Sequence, residues 1–129
     1  MKAISHLLPL LALLPLAAVA ADFDGSKPLI CATVEAHDCS SGQACTKGLA
    51  ADFAAPTFVR IDVAKKVVVG PTRTTPIVMI EKSDKQIILL GTELDYAWSM
   101  ALDKEDGTMS AAIVDRTGVF ALFGNCTPL

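Results

Sequence analysis

Between residues 29 and 123 the chain is divided into short apolar or alternating runs that are separated by turn residues. Runs of this length and period, bounded by polar and Gly-containing clusters, are typical of β-strands. The alternation is clearest where Trp98, Met100 and Leu102 would share one face of a strand. We predict eight strands, at residues 29–36, 57–63, 66–69, 77–82, 86–91, 96–103, 108–114 and 118–123.

The connections between these runs favour antiparallel neighbours. Residues 104–107 and 115–118 both end in Gly, which tolerates the positive φ of many tight turns, and residues 83–85 fit a hairpin turn. We therefore predict a mainly β fold: a small antiparallel meander closed as a barrel, with a β-sandwich as the alternative. At most one short helix is expected, at residues 47–54, which are Ala-rich and end before Pro56.

The beginning of the chain has the pattern of a secretory signal peptide. Lys2 gives a positive start, residues 7–19 are predominantly apolar, and small residues lead up to Ala20. Charge followed by an apolar run and a small-residue cleavage site is how such signals are built. We predict a signal peptide at residues 1–20, cleaved after Ala20, and a single β domain at residues 21–129 that resides in the periplasm or is secreted.

Four cysteines follow the predicted signal peptide: Cys31, Cys39, Cys45 and Cys126. An even number of cysteines in an exported chain indicates disulfides, and four cysteines allow three pairings. We prefer Cys39–Cys45, because the small residues between them can turn, together with Cys31–Cys126. The second bridge would tie the first strand to the last and stabilise the fold by about 4 kcal/mol on chain-entropy reasoning.

The charge balance argues against polyanionic partners. The chain has 14 acidic and 11 basic side chains, and its formal net charge is −3. The basic residues are scattered, with Lys65-Lys66 as the longest run, so the basic stripe of a nucleic-acid-binding protein is missing. Attraction to anionic membranes is equally unsupported. We expect no nucleic-acid partner, no membrane span once the signal is removed, and a monomer.

Few residues have the chemistry of an active or metal site. His37 is the only histidine outside the predicted signal peptide. A Cys-His nucleophile and base would need a free thiol, which paired cysteines do not provide. A metal cluster of Cys31, His37, Cys39 and Cys45 would lack the closely spaced C-x2-C ligands of usual zinc sites. We predict no catalytic, cofactor-binding or metal-binding residues, and no cofactor.

Tyr96, Trp98 and Met100 are the candidate ligand-binding residues. Trp98 and Met100 share a face in the predicted strand, and in a barrel with an open lumen all three could line a pocket for an apolar ligand. The alternative is that they pack in the core, since a small domain leaves little interior once its own side chains are placed.

Three segments carry a resemblance to known proteins: residues 56–62 (PTFVRID), 98–103 (WSMALD) and 123–126 (FGNC). Together the chain resembles a group of small exported bacterial proteins that have no assigned function. The resemblance implies a periplasmic or secreted location and transfers no catalytic residue. At the level of fold alone, the chain is similar to lipocalin-like and lysozyme-inhibitor-like small β-barrels, although it has neither the lipocalin G-x-W opening nor the inhibitors' signature loop.

These features favour a binding role over chemistry. Our first hypothesis is an exported, non-enzymatic binding module that recognises a protein of the cell envelope or a small apolar ligand. The second is a structural or stress-related component of the cell envelope. The third is an envelope hydrolase that would use carboxylates such as Glu93 and Asp95, or His37, and would then place these groups together in a cleft.

Overall fold

The computed structural model of the protein describes residues 22–129. The predicted signal peptide and its cleavage site at Ala20 lie outside the described residues. The strands are β1 (Leu29–Ser40), β2 (Thr46–Gly48), β3 (Phe58–Asp62), β4 (Val67–Val69), β5 (Thr74–Pro76), β6 (Met79–Lys82), β7 (Gln86–Glu93), β8 (Tyr96–Asp103), β9 (Thr108–Val114) and β10 (Gly118–Pro128). A 3-10 helix at Ala50–Phe53 lies between β2 and β3.

All ten strands belong to one antiparallel sheet, which confirms the mainly β prediction. The strand order is β5-β4-β3-β1-β10-β9-β8-β7-β6, with β2 paired to β1 beside this path. The sheet curves into a half-barrel. Within the described chain no strand ladder joins its edges β5 and β6, which are consecutive in sequence.

The longest strands form the centre of the sheet. β1 pairs with β10 over almost its whole length, and a register shift between Thr33 and Glu35 marks a β-bulge. Cys31 lies directly opposite Cys126 in this ladder and is bonded to it, while Cys39 is bonded to Cys45. The two predicted disulfides are therefore present, in the preferred pairing.

Two short strands were not predicted. β5 has three residues and ends in Pro76, and β2 is the polar sequence Thr-Lys-Gly. The predicted helix at residues 47–54 is wrong in extent, because β2 and the 3-10 helix share this segment. Since β1 continues to Ser40 and the Cys39–Cys45 bridge returns the chain alongside it, residues 46–48 find an open strand edge and become extended.

The core fills one end of the half-barrel. Its fully buried side chains come from four strands, and Phe23 from the preceding segment packs among them. Phe23 contacts the position of Gly107, which has φ 75° and where a Cβ would overlap the phenyl ring. The largest fully buried residues are Leu29, Ile61, Ile87, Leu89, Leu102 and Cys31.

Among residues 22–129, no helix has the length and apolar character needed to cross a membrane.

Candidate functional site

The opposite end of the half-barrel holds an open groove of about 940 Å³. This volume is within the range of pockets that bind small molecules. Its lining is predominantly apolar and comes from the concave side of the sheet and from the loops at residues 51–57 and 69–73. The lining residues are Ile30, Thr33, Ala51, Phe53, Ala54, Ala55, Pro56, Thr57, Phe58, Val59, Arg60, Val68, Val69, Gly70, Pro71, Thr72, Arg73, Thr75, Glu93, Tyr96, Trp98, Ser99, Met100, Met109, Ala111, Ala112, Ile113, Phe120 and Leu122.

The floor of the groove is built by register across β8, β9 and β10. Met100 lies opposite Ala111, which in turn lies opposite Leu122. Met100 and Leu122 are buried, and the small side chain of Ala111 between them leaves a depression in the middle of the floor. Side chains alternate between the two faces of a strand. The residues two positions further along each strand therefore point to the same side of the sheet as this row.

The next row lies closer to the open end. Trp98 is opposite Ile113, and Ile113 is opposite Phe120. All three side chains are only partly buried, so they offer apolar surface to the groove. Phe120 also contacts Phe53 of the 3-10 helix, with ring centroids 6.3 Å apart. This contact places an aromatic side chain from outside the sheet on the groove wall.

The position of Trp98 depends on a glycine in the neighbouring strand. Gly91 of β7 lies opposite Trp98, and a Cβ at this position would overlap the indole ring and crowd the Pro76 carbonyl. The ring therefore lies against the bare backbone of β7. Gly91 thus supports the site by making room for Trp98, and a glycine within a strand is the sequence signal that could have identified it.

The wall opposite Trp98 is the loop at residues 51–57, which is anchored to β1. The Thr33 hydroxyl donates to the Pro56 carbonyl at 3.0 Å, and the Thr33 N–H donates to the Thr57 carbonyl at 2.8 Å. At the start of the 3-10 helix the Asp52 carboxylate accepts from the Leu49 N–H at 2.8 Å. These bonds hold the loop in place, so this wall of the groove is formed by the chain itself.

A small polar cluster lies at the rim. The buried Thr75 hydroxyl donates to Glu93 Oε2 at 2.7 Å, and Arg73 Nη1 lies 3.4 Å from Glu93 Oε1. Tyr96, which is 40% exposed, lies opposite Glu93 at the end of the β7–β8 hairpin. Threonine, arginine and glutamate come from segments separated by about twenty residues, so their meeting had no signature in the sequence.

All three predicted pocket residues therefore line the groove. Met100 is buried in its floor, Trp98 is half-buried on its wall, and Tyr96 is exposed at its rim. The two predicted alternatives, pocket and core, both describe part of this strand. Met100 belongs to the buried cluster, whereas Trp98 packs against it with one part of its surface free.

His37 lies away from the groove, on the convex face of the sheet. Its Nε2 is 2.7 Å from Glu35 Oε1, and its ring meets Phe123 edge-on with centroids 6.0 Å apart. Glu35 also forms an ion pair with Lys47. The hydrogen bonds from Lys47 and then from His37 hold the pKa of the Glu35 carboxyl below its usual value. The arrangement is an ordinary surface ion-pair network on β1 and β2.

The other groups considered for chemistry do not converge in a cleft. Glu93 is engaged by Thr75 and Arg73, whereas Asp95 lies exposed in the β7–β8 turn. All four cysteines are in disulfides. In the part of the chain that the structure describes, no three histidine, cysteine or carboxylate side chains are grouped as they would be around a metal ion.

Comparison with known proteins found no match for this chain among protein-family models, curated proteins or solved structures.

Proposed function

We propose that this protein is an exported, non-enzymatic binding module that takes a small apolar ligand into the groove. The observation that carries the proposal is the groove itself: a concave, mainly apolar surface with a few polar groups gathered at its rim. This combination is characteristic of sites that bind small molecules, where apolar surface supplies affinity and the polar groups orient the ligand.

The composition of the walls supports an apolar ligand in particular. Trp98, Ile113 and Phe120 expose apolar surface that water covers in the free protein. Covering such surface is favourable by about 25 cal/mol for each Å² removed from water. The side chain of Met100 adds a flexible, polarisable floor that can adjust to ligands of different shape.

We also propose that the half-barrel closes into a barrel around this groove, through the two residues between β5 and β6. The Ile77 N–H donates to the Lys66 carbonyl at 2.8 Å, and the Val78 N–H donates to the Leu90 carbonyl at 2.8 Å. The segment between β5 and β6 thus bonds to residues near both edges of the sheet. Closure along this segment would add a further wall to the groove and would leave its opening near Tyr96.

Export to the periplasm or beyond is part of the same proposal. The two disulfides support it, since such bonds persist in oxidising compartments and are rare in the cytosol. The predicted signal peptide is the sequence element that would direct the chain there.

The experiment that tests apolar binding uses the single tryptophan of the chain, Trp98, as a donor. We would titrate the protein with N-phenyl-1-naphthylamine, an uncharged apolar fluorophore, and follow energy transfer from Trp98. Binding in the groove should give saturable transfer. The variant Ala111→Phe, which fills the floor between Met100 and Leu122, should weaken binding at least about tenfold, because a blocked pocket loses most of its buried contact.

Ser110→Phe is the matched control, since Ser110 is the adjacent residue of β9 and is exposed on the opposite face. It adds the same side chain without entering the groove, so it should bind the probe as the native chain does. Both variants would first be compared by thermal unfolding to establish that they fold. A lack of saturable transfer in the native protein, or equal binding by both variants, would contradict the proposal.

A further inference from the structure

The charged side chains of the groove lining do not reflect the charge of the whole chain. Three lining residues are charged: Arg60, Arg73 and Glu93. Two of these are cationic and one is anionic, whereas the whole chain carries a formal net charge of −3. The charged residues of the lining therefore do not share the negative excess of the whole chain.

The carboxylate at the rim is already engaged. Glu93 accepts from the buried Thr75 hydroxyl through one oxygen and contacts Arg73 through the other. The positive charge of Arg73 partly offsets that of the carboxylate, so Glu93 attracts a cationic ligand less strongly than a free carboxylate would. Its main effect is to hold the Arg73 side chain at the rim.

Arg73 in contrast keeps most of its donors. A guanidinium has five N–H donors, and the contact with Glu93 uses Nη1 at 3.4 Å. The side chain of Arg73 is 57% exposed, so the remaining donors face solvent at the opening. A planar guanidinium matches a carboxylate by two parallel hydrogen bonds, which a point-like ammonium cannot do.

We propose that the ligand is an anionic amphiphile: a single apolar chain that ends in a carboxylate. The chain lies along Trp98, Ile113 and Phe120, and the carboxylate lies at the rim, where Arg73 donates to it. The inference rests on the proposed function, because it assigns a head group to the ligand that the groove binds.

The test compares three probes that share a twelve-carbon chain and differ only in the head group: dodecanoate, 1-dodecanol and dodecyltrimethylammonium. Each would be titrated into the native protein at pH 7 by isothermal calorimetry, below the concentration at which it forms micelles. The net negative charge of the protein would by itself favour the cationic probe. We expect the opposite order, with dodecanoate binding about fivefold more tightly than dodecyltrimethylammonium.

Variants at Arg73 locate the preference. Arg73→Gln should weaken dodecanoate binding about fivefold more than it weakens 1-dodecanol binding, as expected for a partly exposed charge contact. Arg73→Lys keeps the charge without the paired donors and should retain part of the affinity. Arg116→Gln is the matched control, because it removes the same charge in the β9–β10 turn, outside the groove lining, and should bind dodecanoate as the native protein does.

The outcomes separate this inference from the proposed function. Binding of all three probes with equal affinity, or tightest binding of the cationic probe, would overturn the anionic head group while the apolar groove stands. Unchanged dodecanoate binding in Arg73→Gln would overturn the role of Arg73. If the native protein binds none of the three, then both the inference and the proposed function are wrong.

Discussion

The two ends of the half-barrel use the same strands to different effect, and β8 shows the difference most clearly. Along its concave face Leu102 is 1% exposed and Met100 is 8% exposed, Trp98 is half-buried, and Tyr96 is 40% exposed. Each step of two residues moves toward the open end. One strand therefore supplies the core at one end and the groove at the other.

The difference comes from what covers each end. At the packed end the segment before β1 brings Phe23 into the core, and Cys31–Cys126 joins the two central strands beneath it. At the open end the loop at residues 51–57 is held to the edge of β1, where it lines the groove. The comparison indicates that the packed end supplies most of the stability and that the open end forms the groove.

Removing each disulfide separately has the largest expected effect on the stability of the fold. Cys31–Cys126 spans 95 residues and is buried, so the double variant Cys31→Ala with Cys126→Ala should lower the free energy of unfolding by about 4.5 kcal/mol. Cys39–Cys45 spans six residues and closes a much smaller loop, so its removal should lower it by about 2 kcal/mol. Unfolding in urea, followed by circular dichroism, measures both.

The main expected effect of removing Cys39–Cys45 is on binding to the groove and not on the free energy of unfolding. Cys39–Cys45 holds β2 beside β1, and the 3-10 helix with Phe53 follows directly. Its loss should loosen the groove wall and weaken binding of N-phenyl-1-naphthylamine. Equal losses of stability from the two disulfides would contradict the argument from loop length, and unchanged binding of the probe would contradict the role of Cys39–Cys45 in the groove wall.

Within the open end, the position of the Trp98 ring depends on the glycine beside it. Gly91→Ala should lower the free energy of unfolding by about 1–3 kcal/mol, because the added methyl overlaps the Trp98 ring and the ring must move. The displaced indole should meet more water, so its fluorescence emission should shift to longer wavelength. Both quantities can be measured on one sample, by thermal unfolding and by emission spectra.

Gly70→Ala is the matched control, since it also adds a methyl to a groove glycine. A Cβ at Gly70 would meet only the Arg73 carbonyl, at 3.6 Å, which is ordinary contact. This variant should keep the native emission spectrum and nearly native stability. If Gly91→Ala also leaves the emission unchanged, then the indole does not depend on the bare backbone of β7.

The parts of the fold that were predictable are those in which pattern and packing agree. Residues 96–103 alternate strictly, and the structure has a strand at Tyr96–Asp103 with Trp98 and Met100 on one face. The pairing of Cys31 with Cys126 followed from joining the first long strand to the last. In each case the information lies within a few residues, or in a count of cysteines.

The rest depends on partners distant in sequence. β2 (Thr-Lys-Gly) and β5 (Thr-Thr-Pro) are short and have no apolar run, unlike the three valines of β4, and they exist because a neighbouring edge accepts their backbone. The contact of Phe53 with Phe120, and the cluster of Arg73 with Glu93, are likewise created by the topology. A groove is defined by the distance between such walls, which no local pattern records.

The third prediction concerns the turns at the two ends and has the smallest effect. At the open end the Asp115 carboxylate accepts from the Thr117 hydroxyl at 2.6 Å, from the Thr117 N–H at 2.7 Å and from the Gly118 N–H at 3.1 Å. At the packed end the Asp106 carboxylate accepts from the Thr108 N–H at 2.8 Å. The bonds from Thr117 and from Thr108 hold the pKa of each carboxyl below its ordinary value of 3.8.

A carboxyl whose pKa is lower in the folded state stabilises the fold at pH values above its unfolded pKa, and this contribution is lost as the pH falls through the folded pKa. Asp115→Ala and Asp106→Ala should therefore each lower the melting temperature slightly at pH 7. The difference from the native chain should begin to shrink as the pH falls below about 3.8, and it should vanish below the lowered pKa of the folded state. Asp84→Ala, in the exposed 83–85 turn, is the control. Melting curves measured between pH 2 and pH 7 would test this. A difference that persists at pH 2 would mean that the side chain acts by packing rather than by its charge.

Since the open end has the thinner core, Asp115→Ala should also increase amide exchange at Ile113 and Phe120. Asp106→Ala should leave the exchange of these two amides unchanged, because the strands around its turn are held by the buried cluster.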